Sequence, residues 1–276
     1  MNRPEYSSFE ERRQAVGEPL PGKEKYFDES EFEALEFPKS GDWLASHKEQ
    51  GQSFSQFQSE ARVPLPPRNT IYIQPLGEIP SPMLKFIHSY CSAFFWGNPV
   101  EVLEPIRMEN LQVASRVNVF RQYHAGGIIK KLKMPQRAFC VLAITLEDLY
   151  PRESWNFVFG LAAGNKAVFS FARFQEPQKG EELTWFRASR TCTHEISHMF
   201  GLSHCVYYKC LMNGSNTLEE NDRRPSNLCP VCLKKIHYCL NFDFKARYQA
   251  LAEVCNRPLS LFQSQKDNFL HKSKLY

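Results

Sequence analysis

HEISHMFGLSHC, residues 194–205, gathers three of the chain's eight histidines, one glutamate, one glycine and one cysteine into a single short stretch. His194 and His198 stand four apart, so on a helix both imidazoles project from the same face, one turn from each other. That spacing lets two ring nitrogens reach one zinc ion at about 2.0–2.1 Å. Glu195 lies one step round the helix. There its carboxylate meets the water on the metal rather than the metal itself, and acts as general base. Gly201 falls where the helix must stop, and a left-handed glycine turns the chain back so that His204 becomes the third ligand. Three protein ligands leave a fourth position open, the pattern of a catalytic zinc rather than a structural one. HExxH alone is a weak signal; with Gly201 and His204 at fixed offsets it is a specific one. The plainer reading, three ordinary histidines on an amphipathic helix, leaves all five positions to chance.

The cysteine that closes the stretch belongs elsewhere. Consecutive side chains in an extended segment point apart, so His204 and Cys205 do not share a metal. HCVYYKC supplies Cys210, and LCPVC supplies Cys229 and Cys232. Four thiolates make a closed tetrahedral site for a structural zinc, and the Cys229–Cys232 spacing is that of zinc ribbons. The Cys205–Cys210 spacing is slightly wider than usual. Cys239 competes as a ligand but lacks a close cysteine partner; Cys91, Cys140, Cys192 and Cys255 read as core residues.

Working outward, Trp185, Ala188, Cys192, Ile196 and Met199 step by 3, 4, 4 and 3 residues. They form one apolar stripe on a helix over 181–200, with the imidazoles on the opposite face. Upstream, TIYIQPLG, PVEVLEPI and AFCVLAITLEDLY predict strands, the last buried on both faces. PMLKFIHSYCSAFFWG predicts a helix over 83–95, and GGIIKKLKM a short helix ending at Pro135. WNFVFGLAA and KAVFSFARF predict an antiparallel pair with the second at the sheet edge. Strand and helix alternate and a hairpin follows, so the fold class is α+β, a mixed twisted sheet with an antiparallel edge strand. Residues 1–68 read as a polar arm with one helix near 28–36 and a linker at Pro64, Pro66 and Pro67.

The totals agree with a globular protein. Of 276 residues, 42% are hydrophobic and 23% charged, and the net charge of +4 is too small to argue for nucleic acid. No run of about eighteen apolar residues predicts a membrane span, and the amino terminus lacks an apolar signal core. Nine cysteines, an odd number without a leader, point to a reducing compartment: cytoplasm or nucleus, not a secreted protein.

Taken with CLM and CPVC, the stretch HEISHMFGLSHC resembles the archaemetzincins, a branch of the metzincin zinc metallopeptidases. IYIQPLG, AFCVLAIT, DLYPRESWNFVFG, FSFARF and RRPSNLCPVCL extend the resemblance over roughly residues 69–255. It implies a zincin-like fold with an upper catalytic subdomain over 69–201. A small zinc-stapled lower subdomain would span 202–258, with a tail over 259–276. It implies two zinc ions per chain, Met212 as the methionine of a turn beneath the catalytic zinc, and a peptide or protein substrate bound along the edge strand near AVFSFARF. One departure concerns QEPQKG, residues 175–180, a short link before the active-site helix where the family often has an insertion; it bears on the shape of the cleft. The expected activity is peptide-bond hydrolysis, aminopeptidase-like in the family's manner, by a monomer that binds neither nucleic acid nor membrane. Tyr207 and Tyr208 are candidates to assist the oxyanion, though both suit packing. The competing reading is a non-catalytic zinc-stabilised module that uses the basic CLKKIHYC to bind protein or nucleic acid. Glu195 argues against it, since a purely structural metal site has no need of that carboxylate.

Overall fold

The unbroken apolar run Ala138–Thr145 is buried at every position, because it pairs on both edges and is covered on both faces. It anchors a computed structural model that describes residues 4–176, 178 and 180–275. In chain order the elements are α1 (Phe9–Val16), α2 (Trp43–Ser46), α3 (Phe54–Glu60), β1 (Thr70–Leu76), α4 (Ser81–Phe94), β2 (Val100–Val102), β3 (Ser115–Val117) and β4 (Arg121–His124). Then come α5 (Ala125–Lys131), β5 (Ala138–Thr145), β6 (Asp148–Tyr150), β7 (Gly160–Ala163), β8 (Lys166–Ser170) and the long α6 (Glu181–Met199). The helices α7 (Leu218–Arg223), α8 (Pro230–Leu240), α9 (Phe244–Val254) and α10 (Ser260–Ser273) complete the chain. Among the described residues no helix is long and apolar enough to cross a membrane.

The described residues fall into two compact units. One comprises 64–199 and 242–270; the other comprises 4–63, 200–241 and 271–275. In the first, the main sheet runs β2-β1-β5-β8-β7, parallel except for β7. Val141, Ala143 and Val168 pack with Ile128 and Ile129 of α5 and with Leu132 just after it on one face. By alternation Cys140, Leu142 and Ile144 point to the other, where α6 lies against β5 and β8 and beside α4. The edge strand is β7, not the KAVFSFARF segment: β8 sits between β5 and β7, and its Ala167, Val168 and Phe169 are all buried. That strand is apolar on both faces because both are covered, which is why its alternation is weak. A second sheet, β3-β4-β6, has strands of only three or four residues, too short for a periodic signal.

α6 matches the helix expected over 181–200, but it is enclosed on nearly every side rather than two-faced. Three of its buried hydroxyls are satisfied within the helix itself. Ser189 donates to the Phe186 carbonyl, Thr193 to Ser189 and Ser197 to Thr193, at 2.9, 3.0 and 2.7 Å.

The amino-terminal segment is not a loose arm. Ser8 and Glu11 form a capping box on α1, and Ser53 and Gln56 one on α3. Phe57 and Tyr26 are fully buried, and Arg12 is buried with its guanidinium donating to Glu5 and to the Ser7 carbonyl. The helix expected near 28–36 is only a 3-10 turn at Glu29–Glu31, begun by the Asp28 side chain accepting from the Ser30 amide. From Phe242 the chain rejoins the sheet-bearing unit. There the buried Arg247 of α9 donates to the Phe94 carbonyl at 2.8 Å. Pro230 at the start of α8 and Asp243 capping α9 are the local signals that mark these two helices.

Candidate metal centres

The last two turns of α6 carry the first centre. His194 is buried and His198 half-buried, with their Nε2 atoms 2.9 Å apart and their rings edge to face at a centroid separation of 4.5 Å. Two nitrogens on a tetrahedral zinc at 2.0–2.1 Å would stand about 3.3 Å apart. The pair is therefore within a few tenths of an ångström of ligand geometry. Glu195, half-buried, occupies the position between them in sequence. Cys192, one helical turn earlier on the apolar stripe, is fully buried, and burial with the nearby Cys91 and Glu195 charges holds its thiol well above the usual range. It is a core residue, as its pattern predicts.

After Met199 the chain enters the other unit. Gly201 there adopts φ +101°, and a Cβ would meet the Glu60 carbonyl oxygen at 3.3 Å and the Phe57 ring at 3.5 Å. The backbone angle favours glycine, and the Glu60 carbonyl adds a tight contact. Gln52 brackets the turn: its amide nitrogen donates to the Gly201 carbonyl at 3.1 Å, and its amide oxygen accepts from the Ser203 N–H at 3.2 Å. His204 Nδ1 lies 2.9 and 3.1 Å from the two carboxylate oxygens of Glu49. Burial would raise the Glu49 carboxyl, but hydrogen bonding and charge from His204, helped by Trp43 and His47, outweigh it and hold the group below its ordinary value. The Trp43 indole meets the His204 ring edge to face at 5.2 Å and stacks on His47 at 3.7 Å. Glu49, Gln52 and Trp43 were not legible as site residues; they precede His204 by more than 150 positions, and DWLASH carries no metal-site pattern.

The second centre lies wholly within this unit. Cys205, Cys210, Cys229 and Cys232 are buried, with their sulfurs all within 4.8 Å of one another. Cys205 Sγ and Cys229 Sγ are 3.6 Å apart. Four thiolates around zinc at about 2.3 Å would stand about 3.8 Å apart, so the cluster fits the ion. The backbone N–H groups of Met212 and Cys229 donate to Cys210 Sγ at 3.4 and 3.3 Å, the amide support a thiolate needs. Hydrogen bonds from Cys210, Cys229 and Cys232 pull the Cys205 thiol well below its ordinary range, whereas burial together with Cys205, Cys210 and Cys232 drives Cys229 upward. Cys239 stays outside the group, its thiol pushed up to about 12 by burial.

Met212 is fully buried, and its carbonyl accepts from the Cys205 N–H at 2.8 Å, tying the two ends of the loop. Asn213, missed from sequence, does more. Its side chain accepts from the Cys210 N–H at 2.7 Å and donates to the carbonyls of Cys205 and Tyr208 at 2.7 and 3.0 Å. Tyr208 is buried and Tyr207 half-buried, its hydroxyl pushed up to about 12 by burial and the cysteine charges; both rings serve packing. The lysines of CLKKIHYC are not a surface patch. Lys234 donates to the carbonyls of Val16 and Glu18, and Lys235 to the backbone and side-chain oxygens of Gln52, with both side chains buried.

A helix bearing HExxH and a glycine turn with a further histidine match the HExxHxxGxxH class of zinc metallopeptidase, beside which a buried four-thiol cluster stands as an addition. Comparison with known proteins narrows this. Residues 122–238 match Peptidase family M54. Archaemetzincin-2 of Rattus norvegicus is 40% identical over 266 residues, covering 80% of this chain and 74% of that protein. Archaemetzincin-1 of Homo sapiens is 33% identical over 269 residues, covering 82% and 54%. The solved archaemetzincin of Methanopyrus kandleri is 32% identical with a TM-score of 0.52, covering 66% of this chain and 100% of its own. That of Archaeoglobus fulgidus, complexed with malonate, is 30% identical with a TM-score of 0.51, covering 60% and 99%. The chain belongs to the archaemetzincins, peptidase family M54, and is a zinc metallopeptidase.

Proposed function

We propose that His194, His198 and His204 hold one catalytic zinc, with Glu195 as general base, and that Cys205, Cys210, Cys229 and Cys232 hold a second, structural zinc. The observation that carries the reading is the pair of Nε2 atoms 2.9 Å apart on α6 with Glu195 in the same turn. The glycine turn four positions before the second centre and the pattern HExxHxxGxxH add His204. Zinc held by these residues would supply polarisation of the scissile carbonyl and acidification of the attacking water. Glu195 takes the water's proton on its carboxylate and passes it to the leaving amine nitrogen, so it enters and leaves the cycle ionised. Zinc held by the four cysteines would fix the loop that carries His204, through Cys205 next to it.

An extended segment of a peptide or protein substrate pairs with β7, whose outer edge is unpaired among the described strands. Cleavage is aminopeptidase-like, trimming peptide termini. Nine cysteines with no disulfide among them suit a reducing compartment, the cytoplasm or nucleus. The test is a diverse peptide mixture digested by wild type and by Glu195→Gln and read by mass spectrometry. Wild type yields products shortened from the amino terminus; the variant keeps its zinc and loses about 10²–10⁴-fold in rate, the usual worth of a general base. Undiminished turnover in the variant would refute the role, and internal cuts would refute the trimming mode.

A further inference from the structure

The turn between the helix and His204 is held by side chains from far upstream, and the strongest of these contacts is chemical as well as mechanical. Glu49 presents both carboxylate oxygens to His204 Nδ1, at 2.9 and 3.1 Å. A carboxylate accepts hydrogen bonds and cannot donate them, so Nδ1 must carry the proton. The lone pair of the imidazole then resides on Nε2. A histidine binds metal through whichever nitrogen the second hydrogen-bond partner leaves bare, and that partner also makes the ring more basic. Neighbouring contacts fix the direction of the pair. Gln52 grips the turn at Gly201 and Ser203, and is itself held by the buried ammonium of Lys235. The Trp43 edge closes the His204 ring from the side at 5.2 Å. Glu49 and His204 are each about a quarter exposed or less, so water competes only partly for the bond.

Resting on the proposed three-histidine zinc, we infer that Glu49 is the positioning residue for His204: its carboxylate fixes the Nδ1–H tautomer and the ring orientation that offer Nε2 to the ion. The amino-terminal segment is thus part of the catalytic apparatus. This assigns a role to residues 43–52 that the HExxHxxGxxH pattern does not contain. Glu49 touches neither substrate nor reacting atoms; it acts through His204.

The experiment measures zinc affinity at the histidine site by competition with a chromophoric chelator, in the full chain. Wild type is set beside Glu49→Gln, Glu49→Ala and His194→Ala. Zinc at the four-cysteine site is counted in each protein as the check on folding. Glu49→Ala is expected to weaken histidine-site zinc by about 10–100-fold while the four-cysteine zinc stays bound. Glu49→Gln, whose amide oxygen still accepts from Nδ1–H, is expected to fall between alanine and wild type. In zinc-saturated protein, KM for a peptide substrate is unchanged in both. Long-range proton–nitrogen spectra of wild type should show His204 protonated at Nδ1. Wild-type affinity in Glu49→Ala, or a glutamine variant as weak as alanine, overturns the positioning role. If His194→Ala also retains both zinc ions, the failure lies in the three-histidine reading itself; if it loses one, only the inference about Glu49 fails.

Discussion

Replacing Gly201 by alanine should destabilise the protein through two separable effects. The residue holds φ +101°, where an L side chain brings its Cβ against its own backbone, at a cost of about 1–2 kcal/mol. In addition, the new methyl would lie 3.3 Å from the backbone carbonyl oxygen of Glu60, a tight contact with an atom that cannot swing aside, while the Phe57 ring at 3.5 Å is in ordinary contact. Overpacking of this kind adds about 1–2 kcal/mol, for a total of about 2–4 kcal/mol. Gly41 provides the control within the same unit: its φ is +89° but nothing lies within 4 Å of a Cβ, so Gly41→Ala bears the backbone cost alone. The assay is urea unfolding of wild type and both variants, followed by far-ultraviolet circular dichroism. The Gly201 variant should lose clearly more than the Gly41 variant, and both should lose measurably. Equal losses would show that crowding at Glu60 is not real. No loss at either position would overturn the backbone argument. Because Gly201 leads directly into His204, the same substitution should also weaken zinc at the histidine site, measured by chelator competition.

Other perturbations follow from the same geometry. Cys232→Ser should remove the four-cysteine zinc and with it the fold of 200–241, since such sites contribute about 10–16 kcal/mol in zinc-finger peptides; one zinc per chain with an unchanged circular dichroism spectrum would contradict this. Lys235→Met should cost about 1–3 kcal/mol, because the two oxygens of Gln52 that the ammonium serves are left without that donor; a neutral result in urea unfolding would show that packing, not the hydrogen bonds, matters there. Burial pushes the thiols of Cys91, Cys239 and Cys255 up to about 12, whereas in the unfolded chain they ionise near about 8.5. Between those values the folded protein holds more protons than the unfolded chain, so stability should fall as pH rises from about 8.5 toward 12. A urea midpoint that is the same at pH 9.5 as at pH 7.5 would contradict that sign.

Much of the centre was legible in the chain because it is local. His194, Glu195 and His198 need only one helical turn to converge, and the glycine that ends the helix sits within a few residues of them. Cys229 and Cys232 are likewise neighbours, while their union with Cys205 and Cys210 could be inferred because four thiols have few other uses in such close company. The buried strand β5 and the helices α4 and α6 announced themselves by composition and period. Where two faces were covered, as in β8, the alternation that identifies an edge faded, and the edge was assigned to the wrong strand.

What only the tertiary structure decided lies at long separation. Glu49 meets His204, Gln52 meets Gly201 and Lys235 meets Gln52 across intervals of 155, 149 and 183 residues. No periodicity records such pairings, because a carboxylate or an amide looks the same in sequence whether it faces water or a buried partner. The lysines of CLKKIHYC were read as a basic surface and residues 1–68 as a polar arm for that reason. Polar side chains enter an interior when other groups complete their hydrogen bonds, and those partners are known only once the chain has folded.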